Sequence, residues 1–307
     1  MSALDVVIDC DPGIDDALAL FVAAASPERL RLLGVSCVAG NRPVETTTAN
    51  ACRVLGAAGR TDVPVHAGAA QPLAPHPARC NLVHGEDGLG GVAIDAPPAA
   101  QAELAASFLL RTLGDGPAGS VTVVALGPLT NLALAERARP GLLRRARSVV
   151  VMGGAVTCPG NVTPRAEFNF HADSVAAQVV LAAGAEVELF GLDVTSKAVM
   201  SAAWIDSLAA LDGRCAALAH RMLRAYATQD ALLHDACPLA WLLRPALFAS
   251  QSWRLDVDAS PGDSQGQVRG EPIAGSIALA RGAARVHTQV DTAGLLALVA
   301  QCLARLP

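Results

Sequence analysis

The 307 residues contain no Cys-x-x-Cys pair, no basic stripe, no uncharged apolar run of membrane-spanning length, no internal repeat and no linker. Each absence excludes something. The eight cysteines (Cys10, Cys37, Cys52, Cys80, Cys158, Cys215, Cys237 and Cys302) are scattered, mostly in apolar runs, so they read as buried thiols in a reducing compartment. Without a long apolar run there is no helical membrane anchor to expect. Asp5 stands where a signal peptide would carry basic residues, and the chain is expected in the cytoplasm. The formal net charge is -5, and a nucleic-acid binder needs a basic footprint. The nearest approach, Arg137, Arg139, Arg144, Arg145 and Arg147, flanks a Pro140-Gly141 turn and reads as solvated surface. With no linker and no repeat, residues 1–307 are expected to form one domain.

What is present is apolar: hydrophobic residues make up 52% and charged residues 17%. A chain of this length buries most of its unfolded surface and needs no metal or disulfide staple to fold. Any metal site would therefore serve chemistry.

The apolar pattern alternates strand and helix. Short runs rich in β-branched residues predict strands at Leu4–Ile8, Leu30–Val38, Val63–His66, Val121–Leu126, Val149–Met152 and Val187–Leu192. Between them, helices are predicted at Asp15–Ala25, Val44–Ala58, Ala102–Leu113, Leu129–Arg137 and Ala172–Ala183. The last third predicts helices at Ala202–Leu211, Cys215–Thr228 and Asp235–Leu243. Two or three strands follow, at Trp253–Val257, Ile277–Ala280 and Arg285–Gln289, and then a closing helix, Thr292–Arg305. Gln71–Pro98 and Gly153–His171 read as long polar loops. This order predicts an α/β fold, a mostly parallel central sheet with helices on both faces.

In such sheets ligands bind beyond the carboxyl ends of the strands. The residues there are Asp9, Asp11, Asp15 and Asp16 after the first strand, Asn41 after the second, Thr130 and Asn131 after the fourth, and Asn161, Glu167, Asn169 and His171 after the fifth. Asp9-Cys10-Asp11-Pro12-Gly13-Ile14-Asp15-Asp16 places four carboxylates in eight residues. Two carboxylates about 4 Å apart repel by roughly 4 kcal/mol at an effective dielectric near 20. A hard cation or protonation relieves that repulsion, and for a cation several anionic oxygen ligands favour Ca²⁺ over Mg²⁺. Helix N-terminal acids with an Asx turn are the competing reading, favoured for one or two Asp and disfavoured for four. His234-Asp235 precedes an apolar helix, where Asp235 suits an N-cap and is equally able to ligate a metal. His234 suits a general acid. Glu167-Phe168-Asn169 suits either loop structure or hydrogen bonds to a polyol such as ribose.

These residues resemble the inosine-uridine-preferring nucleoside hydrolases. The resemblance rests on Asp9-Cys10-Asp11-Pro12-Gly13-Ile14-Asp15-Asp16-Ala17, then Gly40-Asn41, His84-Gly85-Glu86-Asp87-Gly88-Leu89-Gly90, Gly127-Pro128-Leu129-Thr130-Asn131, Met152-Gly153-Gly154, Glu167-Phe168-Asn169 and His234-Asp235. The segments keep the family's order from about Val6 to Asp291. The resemblance implies a Rossmann-like nucleoside hydrolase architecture and calcium-dependent cleavage of ribonucleosides to ribose and free base. It implies Ca²⁺ ligands at Asp11, Asp16, Asp235 and the Leu126 carbonyl, with Asp11 also the base that activates a metal-held water. Asp15 and Asn169 would hold the ribose 2′- and 3′-hydroxyls with help from Asp235. Asn161 and Glu167 would hold the 5′-hydroxyl, and Asn41 and the Met152 backbone would lie near the ribose. His84 would form the base side of the pocket, and His234 would assist the leaving base. A homodimer or homotetramer is the implied assembly. Two departures stand out. Leu126 replaces the usual Thr, where only the backbone is needed. The stretch from Tyr226 to His234 is shorter than typical, which leaves Tyr226 as either a base-pocket group or a packing residue.

Two other readings compete. Asp9-Cys10-Asp11 also suits a Mg²⁺-dependent phosphatase with Asp9 as nucleophile. A catalytically silent nucleoside-binding protein would share the ribose contacts without turnover.

Overall fold

The computed structural model describes residues 3–95, 99–274 and 281–307. The strands are β1 (Leu4–Cys10), β2 (Leu30–Cys37), β3 (Val65–Ala67), β4 (Val121–Ala125), β5 (Ser148–Met152), β6 (Val187–Phe190), β7 (Phe248–Val257), β8 (Val268–Pro272) and β9 (Ala283–Val290). They form a nine-stranded sheet in the order β3-β2-β1-β4-β5-β6-β9-β7-β8. From β3 to β9 every pairing is parallel, and β7 pairs antiparallel with both β9 and β8. The chain builds outward from β1 to β3, then returns to lay β4 on the other side of β1. That reversal opens a crevice between β1 and β4 at their carboxyl ends, the usual ligand position in such sheets.

Alternation along the strands splits the core into two layers. Val6, Ile8, Cys10, Val124, Val150 and Met152 pack on one face. The helices there include α1 (Ile14–Ala24), α2 (Val44–Ala57), α8 (Ala202–Ser207), α9 (Arg214–Tyr226), α10 (Ala236–Leu243) and α11 (Thr292–Leu303). Val7, Val123, Val149, Val151 and Leu189 pack on the other, against α3 (Ala105–Asp115), α4 (Thr130–Ala138) and α6 (Ser174–Ala182). Every residue of α1 is buried, so this helix runs through the core rather than along the surface.

Two short helices lie where the sequence pattern shows none. α5 (Phe168–Ala172) forms inside the second polar loop because the Glu167 side chain caps it, accepting the N–H groups of Asn169 and Phe170. α7 (Leu192–Thr195) begins where the apolar run of β6 was expected to continue. β8 is an edge strand containing Gly270 and Pro272, a composition that hides it in sequence. The expected strand Ile277–Ala280 and the last three residues of the first polar loop lie outside the described residues.

Candidate active site

The turn from β1 into α1 sets the floor. Asp16 sits in the first turn of α1, and its carboxylate reaches back to accept the N–H of Gly13 at 2.9 Å and of Asp11 at 3.2 Å. Asn41, just past β2, ties the same acids together. Its backbone N–H donates to Asp11 Oδ2 at 2.6 Å, and its side-chain amide donates to Asp16 Oδ2 at 3.1 Å. Close approach is possible because Gly40 and Gly127 flank Asp11, where an added Cβ would run into the Asp11 carboxylate.

Asp235 completes the floor from the far end of the chain. It occupies the N-cap position of α10, yet its side chain caps nothing. Instead it is hydrogen-bonded to Asp16. Carboxylate oxygens of Asp15, Asp16 and Asp235 all lie within 4.8 Å of one another, and all three residues are buried. Burial, and then repulsion from neighbouring acids, raises the Asp11, Asp16 and Asp235 carboxyls, Asp16 to about 7. Such a set, all oxygen and crowded with negative charge, fits a hard divalent cation. Within the mutual cluster stands Asp15, where the sequence reading placed Asp11; Asp11 lines the same cavity beside it.

The carboxyl ends of β4 and β5 supply the wall. The Asn169 amide donates to the Leu126 carbonyl at 2.7 Å and lies 3.3 Å from the Met152 carbonyl. Glu167 accepts the N–H groups of Asn169 and Gly154, each at 2.8 Å. Burial still raises its carboxyl above the usual range, against the pull of those bonds. Asn161, at the rim, accepts the Phe168 N–H at 3.0 Å.

The opposite wall is aromatic and basic. His84 accepts the Ile14 N–H on Nδ1 at 3.2 Å, which leaves its proton on Nε2, 3.7 Å from Asp15 Oδ1. Burial lowers the His84 pKa. Tyr226 stacks on His84. His234 is held at both ring nitrogens, Nδ1 2.9 Å from Thr195 Oγ1 and Nε2 3.2 Å from Asp230 Oδ2. Burial alone would lower the His234 pKa; the Asp230 hydrogen bond and the charges of Asp15, Asp230 and Glu167 outweigh it and raise it.

Together these residues line one small polar cavity. Asp11, Asp15, Asn41, His84, Leu126, Met152, Asn161, Glu167, Asn169, His234 and Asp235 all face it, and Asp16 lies directly beneath. Four strand-end residues do not reach it. Asn131 donates to Asp9 and to the Cys37 carbonyl, each at 2.9 Å; Thr130 donates to Asp173; and His171 contacts Arg79 and Gln265. Asp9 is fully buried under the floor, bonded to Ser36 and Asn131, so it cannot meet a substrate as a nucleophile. The phosphatase reading fails on that point. The sequence pattern gave no sign of Thr195 or Asp230. Thr195 closes the short helix α7 and Asp230 lies in the loop between α9 and α10, and only the fold turns them onto the two sides of the His234 ring.

Residues 6–297 match the sequence profile described as inosine-uridine preferring nucleoside hydrolase. Over 274 residues the chain is 39% identical to the pyrimidine-specific ribonucleoside hydrolase RihA of Salmonella enteritidis, covering 86% of this chain and 87% of that one. Among solved structures, the plant nucleoside hydrolase PpNRh1 superposes with a TM-score of 0.89 at 28% identity, covering 98% of this chain and 99% of that one. The purine-preferring ribonucleoside hydrolase from Gardnerella vaginalis gives a TM-score of 0.88 at 26% identity, with the same coverage.

Proposed function

The chain belongs to the inosine-uridine preferring nucleoside hydrolase family and hydrolyses the N-glycosidic bond of ribonucleosides; on that premise we propose a calcium-dependent site with the following division of labour. The observation that carries it is the buried acidic floor, three carboxylates within 4.8 Å of one another at the crevice between β1 and β4. Asp11, Asp16 and Asp235, with the Leu126 carbonyl, would hold the ion, and Asp15 adds its charge beside them. When bound, Ca²⁺ supplies Lewis-acid polarisation to water and sugar oxygens.

Every other step belongs to the chain's own groups. Asp15 and Asn169 bind the ribose 2′- and 3′-hydroxyls, assisted by Asp235. Glu167 Oε1 accepts one backbone N–H and keeps a free lone pair, and with Asn161 it binds the 5′-hydroxyl. Asn41 and the Met152 backbone line the ribose. Asp11 accepts a proton from the attacking water as the water oxygen bonds to C1′. The bond from C1′ to the base breaks, and the acidic floor stabilises the positive charge that develops on the sugar. His84 and Tyr226 form the base side of the pocket, and His234 donates a proton to the departing base.

The 39% identity to a pyrimidine-specific enzyme supports a pyrimidine ribonucleoside as the preferred substrate. No helix among the described residues is long and apolar enough to cross a membrane. The family resemblance supports a cytoplasmic homodimer or homotetramer, which sedimentation of the purified protein would check.

A reducing-sugar assay over uridine, cytidine, inosine, adenosine and guanosine, with and without a calcium chelator, tests the reading. Ribose release that is fastest on uridine or cytidine and is lost with chelator is expected. Chelator-insensitive turnover would remove the metal, and faster cleavage of purines would remove the base assignment.

A further inference from the structure

Resting on the reading that His234 serves the departing base, we propose that Asp230 is the positioning residue that aims His234 at it. A carboxylate only accepts hydrogen bonds, so the 3.2 Å contact with Asp230 Oδ2 fixes a proton on His234 Nε2. Asp230 and His234 both line the cavity, so the Nε2–H and the carboxylate that accepts it stand together at its wall. On the other side of the ring, Thr195 Oγ1 engages Nδ1 at 2.9 Å. With both nitrogens engaged, the imidazole is held against rotation.

Asp230 is itself held by the backbone around it. Its N–H donates to the Tyr226 carbonyl at 2.9 Å, and its Oδ1 accepts the Leu232 N–H at 3.1 Å. The segment that follows is pinned by the antiparallel bridge between Val199 and Leu232. Around that bridge, the Met200 N–H donates to Ala231 at 2.8 Å and the Leu233 N–H to Ala198 at 2.9 Å. Val199, which faces Leu232 in this bridge, lies four residues beyond Thr195, the last residue of α7. One backbone pairing therefore sets both partners of the His234 ring. Asp230 lies in the connection between α9 and α10, four residues before His234.

A simple ion pair at the rim would contribute little and would not distinguish one substrate from another. The test exploits that difference. Purified full-length protein is assayed with uridine, whose base leaves poorly, and with 4-nitrophenyl β-D-ribofuranoside, whose leaving group needs no proton. Wild-type turnover of either substrate upholds the glycosidase reading; inertness on both overturns that reading and this inference with it.

Given turnover, Asp230→Ala should lower kcat on uridine by about ten- to a hundredfold, with KM moving less, and the nitrophenyl riboside should lose about tenfold less. Asp230→Asn, whose amide oxygen still accepts from Nε2–H, should recover part of the uridine rate. Asp230→Ala combined with His234→Ala should be no slower on uridine than His234→Ala alone, because the two residues act as one unit. Equal losses on the two substrates, or a double variant whose losses multiply, would overturn the assignment. If Asp230→Ala does not fold, the Asn variant carries the same comparison between substrates.

Discussion

Tyr226 lies nearly parallel to His84, with ring centroids 5.2 Å apart and planes 14° from parallel, and its hydroxyl is 3.5 Å from Asp15 Oδ2. The tyrosine is 2% exposed, and its ring lines the cavity. It therefore joins two parts of the site, the base wall through its ring and the acidic floor through its hydroxyl. Tyr226→Phe keeps the ring and removes only a long hydrogen bond. A loss of about two- to tenfold in kcat/KM, with unchanged melting temperature, is expected. A loss as large as that of a ligand substitution would mean the hydroxyl contacts substrate directly.

Asp11 is the proposed base. Asp11→Asn retains an oxygen that accepts the Asn41 N–H, so the floor keeps its shape. Turnover should fall by about a hundred- to ten-thousandfold, while the circular dichroism spectrum and melting curve stay near wild type. Steady-state rates within a few-fold of wild type would remove Asp11 from that role.

Gly127 makes room for Asp11. A Cβ there would lie 2.8 Å from Asp11 Cγ and 3.2 Å from Asp11 Cβ. Gly127→Ala should cost about 1–3 kcal/mol of stability through overpacking. Displacing Asp11 by a fraction of its bond length from the attacking water should cost about a hundredfold in kcat/KM. Urea denaturation and steady-state kinetics on the same preparation separate the two effects, and a variant with normal kinetics would show that the floor yields freely.

The acidic floor also predicts an unusual pH dependence in metal-free protein. Burial, partly offset by side-chain hydrogen bonds from Ser36 and Asn131, pushes the Asp9 carboxyl from 3.8 up to about 7. Burial and the Asp15 charge push Asp16 to about 7 as well. Between those limits the folded chain binds protons that the unfolded chain has released. Stability is therefore complete below pH 3.8 as far as these groups go, and is lost as pH rises through about 7. In chelator, the melting temperature should be roughly 5 °C or more lower at pH 8 than at pH 5. Added Ca²⁺ should raise it most at pH 8, where the carboxylates are charged. A melting temperature that rises with pH in chelator would contradict the crowding of these acids.

Much of the architecture was legible because it depends on local pattern. Leu4–Cys10 and Ser148–Met152 are strands buried on both faces, and their apolar runs show it. The acid-rich turn after β1 is contiguous in the chain, so its crowding of carboxylates could be read from spacing alone. α5 was hidden because five residues carry too little periodicity, and because its cap comes from the Glu167 side chain inside a polar stretch. Thr130, Asn131 and His171 were expected at the crevice and instead bond to neighbours outside the cavity. Position after a strand places a residue near the rim, while the direction of its side chain depends on neighbours it meets only in the fold.

The sequence by itself determined the alternation of strands and helices, and with it the end of the sheet where ligands bind. It also determined the run of carboxylates at the first turn, since these follow from hydrophobic period and from charges adjacent along the chain. Only the tertiary structure decided that Asp235 abandons its cap to join Asp16, that Tyr226 lies flat on His84, and that Thr195 and Asp230 grip His234. The contacts of Asp235 with Asp16, Tyr226 with His84 and Thr195 with His234 join residues separated by 219, 142 and 39 positions, so no local pattern encodes them. They arise when packing of the helices on the sheet brings distant turns to one crevice.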